Sequence, residues 1–313
     1  MKINQKIGKL ALGVLLSLLS YNSSFGQQTA VFPEYNFNPF VINSAYAGLL
    51  PNTEVTITNT GFSSFEGSPK NFSLSFHSPI SVGRQEGKIG IGAGLIRDEI
   101  GVTTSTSAFM AYSYKIFFDF EDDRPYWQIY QPGTLSFGIT AGVQKYQDNL
   151  LELGIADDPN FSQNINATIP TIGIGFLFNH ARFYAGVSSP NVLGDRLASN
   201  DDLKLESPIY GYFGYRFYNN RFEDFMLKPS ILLKTEKGAP LQVDTNISIS
   251  FKNRFELGAG YRSNSSVNLL AGLYLIKNFR LIYHYNMALK DSPVGNTHGI
   301  MLSYRFGKGY QSN

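Results

Sequence analysis

The chain has 313 residues, with 26 Lys and Arg against 24 Asp and Glu, four His, no Cys, 30 Gly, 25 Phe and 19 Tyr. A formal charge of +2 offers nucleic acid no electrostatic attraction, and the lack of Cys excludes a disulfide framework and any thiolate metal site. Stability must come from strand pairing and burial, and the aromatic content suffices for two girdles at membrane interfaces.

Residues 1–28 read as an export signal of the Sec type. Lys2, Lys6 and Lys9 form a basic start without acidic residues, residues 10–19 are a short apolar run, and Ser24 and Gly26 are small residues placed three and one positions before Gln27. Cleavage is expected between Gly26 and Gln27. The apolar run is about half of the roughly 20 residues a spanning helix needs, which argues against a membrane anchor. The predicted divisions are a signal peptide over 1–26, an N-terminal tail over 27–52, a barrel over 53–306 and a C-terminal extension over 307–313.

Residues 31–53 do not alternate and are rich in Asn, Pro and aromatics, as an ordered tail ahead of the first strand would be. Beyond them no stretch is long and apolar enough for a spanning helix, and short alternating segments follow one another instead. Phe72, Leu74 and Phe76 interleave with Ser73, Ser75 and His77; Ile89, Ile91, Ala93 and Leu95 interleave with Gly90, Gly92 and Gly94. Leu135, Phe137, Ile139, Ala141 and Val143 alternate with Ser136, Gly138, Thr140, Gly142 and Gln144. Successive strand side chains point to opposite faces, so each such segment has one oily and one wet face. A soluble sandwich alternates in the same way.

Two features favour a membrane barrel. The wet faces carry mostly Gly, Ser, Thr, Asn and Gln, with Lys88, Lys115, Arg280 and Arg305 as exceptions, while other charges collect between strands. Connections also differ by side, with tight turns at Asn179-His180, Lys252-Asn253 and Lys277-Asn278 and longer loops over 145–169 and 189–207. The pattern predicts an all-β fold, a transmembrane antiparallel β-barrel of about 14 strands near 53–60, 70–78, 87–97, 103–118, 134–145, 169–179, 181–188, 207–218, 225–235, 241–251, 253–262, 266–276, 278–288 and 298–306. Closure is required because an open edge in hydrocarbon leaves backbone groups unsatisfied, at several kcal/mol each. Residues 119–133 fall on the short-turn side yet carry an acidic run with Tyr126 and Trp127, and read as a docking hairpin or an ordinary loop.

No catalytic constellation emerges, and neither an enzyme activity, a metal nor a cofactor is expected. His77, His180, His284 and His298 lie in different strands or turns without metal-ligand spacing, and lumen hydrogen bonds are the ordinary role for His77 and His284. The glycines at 90, 92 and 94 follow a strand dyad and lack the Lys-Ser or Lys-Thr of a phosphate loop. Small residues in a wall relieve crowding or let it curve. Pro229 inside a predicted strand argues for a bulge or local edge, and Lys234 is expected at the lumen or rim in a structural pair.

Tyr35-Asn-Phe-Asn-Pro-Phe-Val-Ile-Asn-Ser-Ala-Tyr-Ala-Gly48 resembles the N-terminal signature of the PorP/SprF family, outer-membrane proteins of the type IX secretion and gliding apparatus of Bacteroidetes. Asn38-Pro39 and the run from Ile42 to Gly48 fit, with Ser44 in place of the usual Pro. Further short matches follow in order, among them Phe65-Glu-Gly-Ser-Pro69, Asp98-Glu-Ile-Gly101, Tyr184-Ala-Gly-Val-Ser188, Gly260-Tyr-Arg262 and a last strand ending Ser303-Tyr-Arg-Phe306. At Tyr283-His-Tyr-Asn286 the family's usual Asp is missing.

The resemblance implies an outer-membrane component of the secretion machinery that meets outer-membrane lipid. Its implied partners are the C-terminal domain of a secreted adhesin outside, and periplasmic ring and peptidoglycan-linked proteins inside. Candidate partner-binding residues are Asn38, Pro39, Asn43 and Tyr46 in the tail, with Tyr126 and Trp127 in the 119–133 connection. The tail can alternatively plug or line the lumen without any partner, and the principal rival function is a small-molecule porin or uptake channel.

Overall fold

A computed structural model describes residues 35–62, 67–80, 87–118, 133–155, 162–193, 207–219, 225–252, 254–263, 265–289 and 295–310. The strands run in chain order as β1 (Glu54–Phe62), β2 (Lys70–Ile80), β3 (Ile89–Ile100), β4 (Thr103–Phe118), β5 (Gly133–Asp148), β6 (Ile165–Asn179), β7 (Phe183–Ser189) and β8 (Ile209–Tyr215). They continue as β9 (Phe217–Tyr218), β10 (Phe225–Thr235), β11 (Gln242–Phe251), β12 (Phe255–Arg262), β13 (Ser266–Ile276), β14 (Phe279–Ala288) and β15 (Thr297–Arg305).

Every pairing is antiparallel and, apart from β8 with β10, joins neighbours in sequence, and β15 returns to β1 with Glu54 opposite Arg305 and Ile57 opposite Leu302. With β10 also paired to β11, no open edge runs the length of the wall. β8 and β9 make one crossing interrupted at Arg216, so the barrel has fourteen crossings. The interruption has a cause on the facing strand. The ladder to β10 resumes at Ser230–Gly214 and Leu227–Phe217 and lapses opposite Pro229, which has no N–H to give.

Burial is inverted relative to a water-soluble protein. Thr56, Thr58, Ser73, Ser75, Ser113 and Ser136 are buried, whereas Ile57, Leu74, Met110, Ile139, Phe176, Leu257 and Leu275 are exposed. That sorting settles the choice that alternation left open: the oily face points outward to lipid and the polar face lines the lumen. The lumen holds more charge than the sequence reading expected, because Glu54, Asp244, Glu256 and Arg262 are also buried inside, while Lys234 is buried there in a pair as expected. Burial is tolerated through pairing: Asp244 takes three hydrogen bonds from Arg262, and Lys234 lies 3.2 Å from Glu236.

The end of the barrel where β1 begins and β15 finishes, here the turn end, is belted by aromatics. Phe225, Phe251 and Phe255 stand in one cross-strand row, and Phe117, Phe217, Tyr304 and Phe306 are exposed there. At the opposite, loop end the described rim is mainly aliphatic, with Ile100, Ile165 and Leu241 beside Tyr261, so the second aromatic girdle expected from composition does not form among the described residues. Tight connections also occur at the loop end, between β3 and β4 and between β12 and β13. Wall height is uneven, from 16 residues in β4 and β5 to seven in β7.

Candidate functional site

Residues 35–50 of the tail cross the barrel lumen. Asn38 precedes a 3-10 turn, Pro39–Val41, whose first position suits Pro because that N–H would be orphaned in any case. A second turn, Ser44–Tyr46, is capped by Asn43, whose Oδ1 accepts from the Ala45 N–H at 2.8 Å. Ser44, where the family carries Pro, starts this turn, and the Asn43 cap still fixes its geometry.

An irregular segment inside a barrel must have its backbone polar groups satisfied by the wall. Arg280 donates to Phe37 O at 2.9 Å, Ser188 to Ile42 O at 2.7 Å, and Ser113 to Ala47 O at 2.6 Å, while the Lys115 ammonium donates to Gly48 O. Side chains add to the seating. Asn38 donates to Ser75 at 2.9 Å; Asn43 Nδ2 donates to Phe176 O at 3.0 Å and to the Tyr212 hydroxyl at 2.5 Å. The Tyr46 ring stacks on Tyr212, and Phe40 lies against His77 and Phe109. Ala45 and Ala47 have no exposed surface, and Asn43 is 1 % exposed.

The wall is shaped to receive this segment. A Cβ on Gly90 would overlap Ala47, one on Gly92 the Phe40 ring, one on Gly138 Ser44 and Ala45, and one on Gly175 Asn43. These four glycines come from β3, β5 and β6. Gly48 closes the segment with φ +57°, and a side chain there would strike Pro79. The glycines that read as relief of crowding in a strand are therefore the mould for the tail.

The tail divides the lumen. Towards the loop end a cavity of 120 Å³ is floored by Phe40–Ser44 and walled by Asp98, Ser105, Gln144 and Asn191. Towards the turn end a cavity of 370 Å³ lies between Tyr35, Phe37, Tyr46 and the wall residues Glu54, His77, Arg216, Lys228, Arg280 and Arg305. Beneath it Glu54 is gripped by Arg280 at 3.1 Å and Arg305 at 2.7 Å, and accepts from the Tyr310 hydroxyl at 3.0 Å. Burial pushes the Tyr310 phenol up to about 12, keeping it a neutral donor beneath both guanidinium groups. The C-terminal residues thereby lock the first and last strands together at the turn end.

Of the residues expected to bind partners, Asn38, Pro39, Asn43 and Tyr46 all lie within the barrel and touch its wall or one another. Tyr126 and Trp127 fall outside the described residues, as do Gly26 and Gln27. Sequence reasoning missed the residues that hold the tail, namely Lys115, Ser113, Ser188, Tyr212 and the four glycines. The one signal available was the recurrence of Gly at alternate wet-face positions. His284 makes the expected lumen hydrogen bond, to Thr60 at 3.1 Å. No group of three or more His, Asp or Glu positioned to hold a metal occurs among the described residues.

Residues 24–304 match the family model described as type IX secretion system membrane protein PorP/SprF. Similar solved structures include the outer membrane protein Omp33 of Acinetobacter baumannii, 9 % identical with a TM-score of 0.45, covering 83 % of this chain and all of that one. A KdgM porin is 10 % identical with a TM-score of 0.37, covering 81 % of this chain and 99 % of that one. A mutant porin of Rh. blastica is 6 % identical with a TM-score of 0.35, covering 82 % and 99 %. At such scores these likenesses decide nothing about function. A search of curated proteins gave no match. With a family model matched over most of its length and a closed membrane barrel as its fold, the chain belongs to the PorP/SprF family of type IX secretion system membrane proteins.

Proposed function

We propose that this protein is a plugged outer-membrane anchor of the type IX machinery, without enzymatic activity, that helps export or hold a surface adhesin and links it to periplasmic ring and peptidoglycan-linked components. It reaches the outer membrane by the Sec route after cleavage between Gly26 and Gln27. The observation that supports this most directly is the seating of residues 35–50 across the lumen, because a small-molecule channel needs a continuous aqueous path where the tail lies. The loop end then serves as the surface for the adhesin's C-terminal domain, and the turn end faces the periplasm.

Co-purification from the native outer membrane tests the link: a tagged chain should bring down both an adhesin and periplasmic ring proteins. Recovery of the barrel alone from intact membranes would sink it. Planar-bilayer recordings test the rival: an anchor stays electrically silent, whereas steady large conductance in the wild-type chain makes it a channel.

A further inference from the structure

The turn-end cavity is lined by two cations, Arg216 and Lys228, that approach one another across the wall. The register pairing Ser230 with Gly214 and Leu227 with Phe217 sets Lys228 directly opposite Arg216, both on the lumen face. Like charges in that position repel unless an anion lies between or beside them. Lys228 has Glu256 as a buried partner on its other flank. Arg216 has no carboxylate among the described residues. Its Nη1 and Nη2 donate to His180 O at 2.8 Å and Asn179 Oδ1 at 3.1 Å, and its guanidinium lies 4.8 Å from the centre of the Tyr184 ring. Nearer the termini, Arg280 and Arg305 share the single carboxylate of Glu54. Among the described residues the cavity that all four cations line therefore carries a net positive charge, with the aromatic faces of Tyr35, Phe37 and Tyr184 alongside.

We propose that this cavity is a receptor for a carboxylate-bearing peptide segment of a periplasmic partner, with Arg216 and Lys228 as the anion clamp. Three features point to that chemistry. A guanidinium fixed through two of its nitrogens and braced on a tyrosine is preorganised to receive a planar carboxylate. Aromatic walls suit the aliphatic stem and backbone of a peptide better than a bare inorganic ion. The volume, 370 Å³, falls within the roughly 300 to 1,000 Å³ typical of ligand pockets. The clamp rests on the reading that the turn end meets periplasmic proteins, and gives that contact a place and a charge.

The test is a fluorescence-anisotropy titration of the purified full chain in detergent with labelled tetraglutamate, and with tetraglutamine as the neutral control. Tetraglutamate should bind, tetraglutamine should not, and Arg216→Gln should weaken binding by about tenfold or more, the scale of a charge-assisted hydrogen bond. Lys228→Gln should weaken it as well, and Lys70→Gln, on the exposed loop-end start of β2, should not. Retained heat-modifiable migration on gels shows that each variant is folded. Equal binding of the two peptides, no binding at all, or unchanged affinity in folded Arg216→Gln overturns the clamp. Displacement by phosphate well below the chloride concentration needed assigns the cavity to phosphate and overturns the peptide reading. The titration needs no partner protein, so its failure leaves the co-purification result standing, and failure of co-purification leaves peptide binding standing.

Discussion

Gly138→Ala should open the barrel while leaving its wall intact. In a strand, Ala is favoured over Gly by about 0.5 to 1 kcal/mol because less backbone entropy is lost. On wall stability alone the variant should be neutral or slightly improved. The added methyl, however, lies well inside the 3.0 Å that real Cβ atoms keep, against backbone atoms of Ser44 and Ala45 that cannot rotate away. Overpacking of this kind costs about 1 to 3 kcal/mol, and here it falls on tail docking. A 2 kcal/mol loss multiplies the undocked population by about 30. Two assays follow the tail separately from the wall. Single-channel recording should show openings more frequent than in wild type, and hydrogen exchange should show faster exchange at the Ala45 amide, which is held by the Asn43 cap. Gly211→Ala is the matched control, since a Cβ there meets nothing within 4 Å. If Gly138→Ala stays electrically silent and Ala45 keeps wild-type protection, the mould account is wrong.

Asn43→Ala removes three hydrogen bonds and leaves the buried Ala45 N–H without its acceptor, so tail docking should weaken by about 2 to 4 kcal/mol. The same exchange measurement reads it, and protection equal to wild type would contradict the capping role. Glu54→Gln leaves Arg280 and Arg305 buried without their shared carboxylate and should cost about 3 to 5 kcal/mol, seen as a lower urea midpoint in detergent; an unchanged midpoint would show that the terminal lock contributes nothing. Ile139→Arg, on the exposed oily face, should destabilise the barrel in lipid by about 2 to 4 kcal/mol, whereas a water-facing isoleucine would tolerate the change.

The aromatic and charged features of the two ends bear on how the barrel sits and what it meets. A belt of Phe and Tyr at the turn end fixes that boundary against the interface. Among the described residues the loop-end rim is mainly aliphatic, with a wall that drops from β6 to β7, so the two ends differ in the surfaces described.

Strand existence, order and face were legible from the sequence because each depends on a local period of two. Phe72, Leu74 and Phe76 declare an outward face without reference to any other strand, and fourteen such declarations with both termini on one side imply closure. Pro229 likewise announced a weak ladder, since a missing N–H is a property of the residue itself. The tail's destination was not legible. Its seat is made of Gly90, Gly138 and Gly175, which lie far from it and from one another in sequence and meet only when the wall curls into a ring. The buried pairs were hidden for a related reason: Arg280 read as a wet-face charge without a partner, and only the closed wall brings Glu54 to it and Asp244 to Arg262. Local alternation thus determined the strands and their two faces, while closure of the ring decided that its centre is filled by residues 35–50 of the chain's own tail.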